Sequence, residues 1–509
     1  MLNLILILPI LKGIYFFLLM AQLDHYKLNS PFKYIKTYYF KKPFLLCLLI
    51  SVFLLFNKFI INIFAYIIII LISLINSHYV IKLKITKRII RLFIVVLLLS
   101  SIPFVYSFHI SSFILTILLL PFIFFISLLI TYPYEKLIYT YYKAKATRKL
   151  KKINPFIIEI TGSYGKTSIK NMLHAIYSPY YLTCSTPKSY NTPMGISKTI
   201  LKDLENLTEI FIVEAGATTK GDIKEITKMV NPNLGIITYV GYQHMESFKT
   251  IDNVLKTKWE LSDTLDNGST LILNYGCDIL DGLSNPNILN SVGVNKYGTY
   301  MYAKNIKHND IYTEFDIYSY NKKLIHVKTK LLGNHNINNI VMCYAVVKSI
   351  NGLFNITNEQ FKTQILSLTN PIHRQSLNEF KIHNTTFRIL DDSYNANVDG
   401  FISACNTLKH LEGIKCIITP GLVETGKYTN ELIERITPSL KDLDEVILIN
   451  NTFTNNLKNH LNKLNISYKL FNSLKDAFNY IKSKYYDFNK DYVNILLEND
   501  LPDNYLLRW

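Results

Sequence analysis

The chain has 509 residues, with 55 Lys and Arg against 37 Asp and Glu, a formal charge of +18. Apolar residues make up 49% and charged residues 18%, where soluble proteins average about 25% charged. That balance excludes intrinsic disorder, and six cysteines are too few for a disulfide scaffold. The apolar excess is concentrated in residues 1–132, so the sequence reads as a membrane region joined to an aqueous body.

Five spans are expected, near 1–20, 43–57, 59–78, 92–107 and 110–132. A bilayer core of about 30 Å needs roughly 20 apolar residues in a helix; the second and fourth runs are short for this, and Lys12 interrupts the first. Basic residues cluster in 21–42 (Lys27, Lys33, Lys36, Lys41, Lys42), in 79–91 (Lys82, Lys84, Lys87, Arg88, Arg91) and in 133–152, a basic juxtamembrane linker. With five spans all three fall on one side, which the positive-inside rule makes cytoplasmic. The expected topology puts the amino terminus outside and everything after 133 in the cytoplasm, at the cell membrane. Membrane lipids are the expected partner of the positive charge; nucleic acid is not, because no basic patch with interleaved aromatics occurs.

From 153 onward, short apolar runs alternate with helical patterns. Phe156–Thr161, Ile210–Glu214, Leu234–Thr238, Thr270–Leu273, Arg388–Asp391, Cys416–Thr419, Val446–Ile449 and Val493–Leu497 read as buried strands, and Lys166–Ser178 and Asn338–Asn351 as helices. That alternation predicts parallel α/β sheets. Some 357 residues exceed one such domain, and Asn370-Pro371 breaks the pattern, giving 153–370 and 371–509. Cys184, Cys277, Cys343, Cys405 and Cys416 show no C-x-x-C spacing and read as reduced, buried thiols.

The sharpest motif is Thr161-Gly-Ser-Tyr-Gly-Lys-Thr-Ser168, after a strand and before a helix. Gly162 and Gly165 let backbone N–H groups turn onto phosphate oxygens, and the helix dipole adds to their pull. Lys166 is placed to reach the β/γ-phosphates and Thr167 to hold Mg²⁺. Ile160 stands where the general loop has its first glycine. Glu214 ends the next strand in Val213-Glu214-Ala215-Gly216-Ala217, ahead of Gly221-Asp222-Ile223, and is the candidate hard-oxygen ligand. His244 follows a third strand, and Lys258 lies on a predicted helix in Lys256-Thr-Lys258-Trp-Glu260.

Together these pieces resemble the Mur ligase family, the ATP-dependent amide ligases of cell-wall precursor assembly, and most of all its D-alanyl-D-alanine-adding branch. The family loop is similar to T-G-[ST]-N-G-K-T-[ST], with Tyr164 here replacing Asn. Ser189-Tyr-Asn-Thr-Pro-Met-Gly195 resembles its N-x-x-x-G stretch, and Leu332-Gly-Asn-His-Asn-Ile-Asn-Asn339 its G-x-H-N-x-x-N. Asp391-Asp-Ser-Tyr-Asn-Ala-Asn397 matches the dipeptide branch. The resemblance covers about 155–430. The family's UDP-gripping amino-terminal domain is missing, and Leu497-Glu-Asn-Asp500 replaces a K-G-S-R-like turn.

The resemblance implies a P-loop parallel-sheet ATPase domain and a smaller Rossmann-like C-terminal domain behind the multi-pass helical region. It implies a ligase that activates a carboxylate as an acyl phosphate for attack by an amine. ATP is expected at Gly162, Ser163, Gly165, Lys166, Thr167 and Ser168, with His335, Asn336 and Asn339 near the base and Arg374 and Asp392 closing on the nucleotide. Two Mg²⁺ are expected, one on Thr167 and Glu214, the other supported by His244 and a carbamylated Lys258. Lys166, His244 and Lys258 are the expected catalytic groups. Expected partners are an amino-acid or peptide amine donor and a carboxylate-bearing cell-envelope precursor, lipid-linked in one version of the hypothesis. The alternatives are a membrane polyglutamate-type ligase of the same superfamily and an ATP-gated transporter or scaffold. The D-D-S-Y-N-A-N segment weighs against the first, and the lack of an L-S-G-G-Q-like signature against the second.

Overall fold

The computed structural model describes residues 7–24, 26–35, 83–106, 110–187, 190–242, 245–309, 312–370, 373, 375–393, 398–422, 428–486 and 492–499. The chain forms two compact units, 1–141 and 142–509.

In the first unit three apolar helices are described: α1 (Ile7–Leu23), α2 (Lys87–Tyr106) and α3 (Ile110–Ile153). Ile14 and Phe17, Leu92 and Val96, and Ile117 and Phe124 share one buried cluster. Two helical stretches, Lys87–Val105 and Ser112–Ile153, are long and apolar enough to cross a bilayer by length and composition; α1 is a shorter apolar helix. The expected spans 43–57 and 59–78 lie outside the described residues. The expected linker 133–152 is helical throughout, as the end of α3. After Pro133 its sequence holds no glycine or proline, and Ala146 and Leu150, four apart, bury in the core of the second unit. The second unit therefore begins inside this helix, at residue 142.

The described residues of the second unit form three sheets. The first is wholly parallel in the order β2-β3-β1-β4-β5-β6. Its strands are β1 (Phe156–Thr161), β2 (Thr183–Ser185), β3 (Ile210–Glu214), β4 (Leu234–Ile237), β5 (Thr270–Asn274) and β6 (Asn290–Val294). Helices cover both faces, so its central strands read as mainly apolar runs. On one side Ile158 and Ile160 pack with α4 (Lys166–Tyr177) and α8 (Asn334–Ser349). On the other, Ile157 packs with α6 (Asp222–Val230) and α7 (Ile251–Thr264), which follow α5 (Pro193–Lys202) in the chain.

The sequence reading missed a small antiparallel sheet of β7 (Tyr302–His308), β8 (Thr313–Ser319) and β9 (Lys322–Thr329). β7 is mostly exposed and polar, so no apolar run announces it. After α9 (Asn358–Ser367) the last sheet runs β10-β11-β15-β12-β13-β14. Its members are β10 (Ser376–Ile382), β11 (Thr385–Asp392), β12 (Ile414–Thr419), β13 (Glu445–Ile449), β14 (Lys469–Phe471) and β15 (Tyr492–Glu498), parallel except for β10 on β11. α10 (Val398–His410) packs on one face and α13 (Leu474–Lys484) on the other, with α11 (Thr429–Ile436) and α12 (Thr452–Lys463) between them in sequence. Both α/β sheets lie in the same compact unit, and the second begins six residues past Asn370.

One acid sits inside this core. Glu159 of β1 is fully buried; its Oε1 accepts from Thr227 Oγ1 at 2.9 Å, and its Oε2 has no hydrogen-bond partner among the described residues. Burial pushes its carboxyl up to about 8, against a smaller lowering by Thr227. The folded chain thus holds a proton that the unfolded chain releases above the usual carboxylate value. This contribution to stability is fully present at acid pH and is lost as pH rises through 8. Glu159→Gln is expected to melt higher than wild type at pH 8.5, by on the order of 2 kcal/mol, with the gain shrinking toward pH 5. Melting curves at the two pH values check this.

Candidate active site

β1 delivers the chain into a glycine turn, and α4 begins directly after it. Gly162 has φ +144° and Gly165 φ +82°, and a Cβ on Gly162 would overlap the Thr238 hydroxyl. Both positions therefore require glycine. The turn is fastened to the exit of β4. Ser163 N donates to Tyr239 O at 2.6 Å, Gly241 N donates to Ser163 Oγ at 3.1 Å, and Thr238 Oγ1 donates to Tyr164 O. Tyr164 does more than occupy the position of the resembling Asn: its hydroxyl donates to Tyr242 O at 2.8 Å and its ring packs 5.7 Å from that of Tyr239.

Lys166 Nζ donates to Gly162 O at 2.6 Å and Ser163 O at 3.1 Å, so the ammonium lies over the turn. Thr167 and Ser168 stand in the first turn of α4. Thr167 Oγ1 donates to Glu214 Oε2 at 3.0 Å. Glu214 ends β3, 2% exposed. Its other oxygen faces Asn191 Nδ2 at 3.4 Å, and its backbone N–H reaches Thr186 Oγ1 at 3.1 Å. Lys170, which the sequence reading passed over, lies 3.1 Å from Glu214 Oε2.

Lys258 projects from α7 and is 2% exposed. Burial, and then the positive charge of Lys166, bring its amine down to about 7, against smaller opposing effects of Asp222 and Glu260. The two lysines therefore share one electrostatic neighbourhood. Glu260 caps the start of α6, taking Gly221 N at 2.7 Å and Lys224 N at 3.1 Å. Asp222 Oδ2 takes Thr218 N and Thr219 N at 2.9 and 2.8 Å.

Asn339 lies beside the turn, since a Cβ at Gly165 would stand 3.1 Å from its Oδ1. Asn336 Nδ2 donates to Leu332 O at 2.7 Å and faces Asn370 Oδ1 at 3.4 Å; His335 Nδ1 meets Ser403 Oγ of α10 at 3.1 Å. Asp392, at the end of β11, accepts from Gln375 Nε2 at 3.1 Å, and Thr407 Oγ1 donates to the other end of Gln375 at 3.0 Å. His335 thus belongs to a polar link from α8 to α10, and Asp392 to a polar chain through Gln375 and Thr407 beside the last sheet, rather than to the turn itself. Beside Asp392, Glu498 of β15 is buried, and neither carboxylate oxygen has a hydrogen-bond partner among the described residues. Burial and then Asp392 hold its carboxyl well above the usual range. His244 and Arg374 lie outside the described residues.

Among the described residues no group of three or more His, Cys, Asp or Glu gathers as a metal cluster. The Thr167 hydroxyl and Glu214 carboxylate are hard oxygens of the kind Mg²⁺ takes, with phosphate and water completing its shell, so the donor set fits one such ion. A glycine turn at a helix amino terminus, with a lysine over it, fits a nucleotide's phosphates.

Residues 160–347 match the Mur ligase middle domain. The UDP-N-acetylmuramoyl-tripeptide–D-alanyl-D-alanine ligase of Buchnera aphidicola (subsp. Baizongia pistaciae) is 32% identical over 278 residues, 54% of this chain and 58% of that one. The Escherichia coli ligase of the same name is 26% identical over 275 residues, 53% and 58% of the two chains. The chain thus spans less than two thirds of the length of these relatives. In fold it is similar to MurF from Acinetobacter baumannii, with a TM-score of 0.62 at 19% identity over 71% of this chain and 77% of that one. MurF ligase from Thermotoga maritima, solved in complex with ADP, gives 0.62 at 20% identity, covering 71% and 80%. The Mur ligase middle domain match begins at the end of β1 and runs into α8, so the turn, Glu214 and Lys258 all fall inside it.

Proposed function

We propose that the chain is an ATP-dependent amide ligase of the Mur ligase family acting on a cell-envelope precursor. The observation that carries this reading is the convergence of Lys166, Thr167 and Glu214 on one glycine turn, with the buried Lys258 in the field of Lys166. A free carboxylate is a poor electrophile. Phosphorylation by ATP makes it an acyl phosphate, and an amine then displaces phosphate through a tetrahedral intermediate. Backbone N–H groups of the turn and Lys166 spread the charge of the transferring phosphoryl group. Thr167 and Glu214 would hold Mg²⁺, which would supply positive charge to offset that of the phosphates. Lys258 is suited to carbamylation, because an amine brought down to about 7 is neutral in roughly half of the molecules at pH 7, and the neutral amine can add CO₂ with release of a proton to solvent; the carbamate would present anionic oxygen where the amine was cationic.

The named substrate of the relatives supports a UDP-N-acetylmuramoyl-tripeptide acceptor and a D-alanyl-D-alanine donor. The apolar helices α2 and α3, and the basic residues around them, support attachment to the membrane with the catalytic half on the cytoplasmic side. They make a lipid-linked acceptor the second candidate.

Full-length protein in detergent should release phosphate from ATP only with both acceptor and amine, and hydroxylamine should trap the activated carboxyl as a hydroxamate. Phosphate release indifferent to acceptor and amine would sink the ligase reading. Turnover of the soluble acceptor alone would sink its lipid-linked version.

A further inference from the structure

α4 carries a second lysine one turn beyond Lys166, on the same face. Lys170 Nζ lies 3.1 Å from Glu214 Oε2, and the side chains are 2% and 3% exposed. An ammonium and a carboxylate shut away from water at this distance hold each other strongly, because the low local dielectric leaves little to screen them. The same Oε2 accepts the Thr167 hydroxyl at 3.0 Å, and Oε1 faces the Asn191 amide at 3.4 Å. The carboxylate assigned to a divalent cation is therefore already surrounded by one cation and two neutral donors.

We propose that Lys170 is a positioning residue that keeps Glu214 aimed, and that it sets the order of loading. It repels a divalent cation arriving alone and tolerates one arriving with the negative phosphates of a nucleotide. The proposal rests on the reading that Thr167 and Glu214 hold the cation. Lys166 does not substitute for Lys170, since its own ammonium is turned onto the Gly162 and Ser163 carbonyls.

The test is Mn²⁺ affinity of the full chain in detergent, by electron paramagnetic resonance, with and without a non-hydrolysable ATP analogue. Wild type should bind Mn²⁺ weakly alone and tightly with the analogue. Lys170→Met removes the charge at similar size. It should bind Mn²⁺ alone roughly tenfold tighter or more, a step of one decade in Kd, and should melt lower than wild type until Mn²⁺ is added. Lys170→Arg keeps the charge and should restore the weak metal-only binding. Metal-only affinity in Lys170→Met equal to wild type, or weaker, overturns the proposal. Should Lys170→Met not fold, Lys170→Gln is uncharged and can still donate to Glu214, and it is read by the same two outcomes. Tight Mn²⁺ binding with the analogue that survives Glu214→Gln overturns the metal reading itself, which separates the two failures.

Discussion

Lys166→Ala is expected to lower amine-dependent phosphate release by roughly 10²–10³-fold, the usual cost of removing one preorganised donor from a developing negative charge. The lysine donates to two backbone carbonyls of the turn, at 2.6 and 3.1 Å. Losing these should cost about 1 kcal/mol of stability each at most, because Ser163 and Tyr164 of the turn are also fastened by Tyr239, Gly241 and Thr238. A large loss of turnover with a small change in melting temperature is therefore the expected pattern. Lys166→Arg should not restore activity, since a planar fork does not replace a compact point charge. Full turnover in the alanine variant would remove Lys166 from the mechanism.

The second large effect concerns Lys258. Burial and the charge of Lys166 lower its amine to about 7, so the neutral form that reacts with CO₂ grows as pH rises through 7 and is scarce at pH 6. Activity should rise over that window, fall when buffers are stripped of CO₂, and return with bicarbonate. Lys258→Ala should lose roughly 10²-fold or more, the loss expected for a group that supports charge at the reacting phosphate. Stability moves in the same direction. Between 7 and the ordinary lysine value the unfolded chain binds a proton that the folded chain does not, so folding gains with pH there. Indifference of the pH–rate profile and of the CO₂-stripped enzyme would remove the carbamate while leaving the phosphate site intact.

The parts of the fold that were legible in the sequence are those where one physical requirement dominates. β1 and β3 match their expected limits because strands buried on both faces are mainly apolar, Glu159 being the exception inside β1. The turn at 162–165 was legible because positive φ demands glycine. α8 begins at Asn334 rather than at 338. Its first turn, Asn-His-Asn, carries no apolar signal, and the start is set by Gly333 at φ +90°. Lys170 was invisible for the opposite reason: a lysine in an amphipathic helix ordinarily faces water, and only its i+4 spacing from Lys166 hinted that it overlooks the same turn. Gln375 and Glu498 draw their roles from residues far away in the chain, Asp392 and Thr407 among them, which no local pattern encodes.

The cap made by Glu260 joins two events that are distant in sequence. It stands two residues after Lys258 on α7 and clasps the amides that open α6, immediately downstream of the Glu214 strand end. Lys258 and Glu260 feel each other's charge through space, so a change of charge on Lys258 alters the field at the cap over those two amides. The exchange of their hydrogens with heavy water becomes an optical-label-free gauge of whether the buried amine has been modified, readable in the resting protein before any turnover begins.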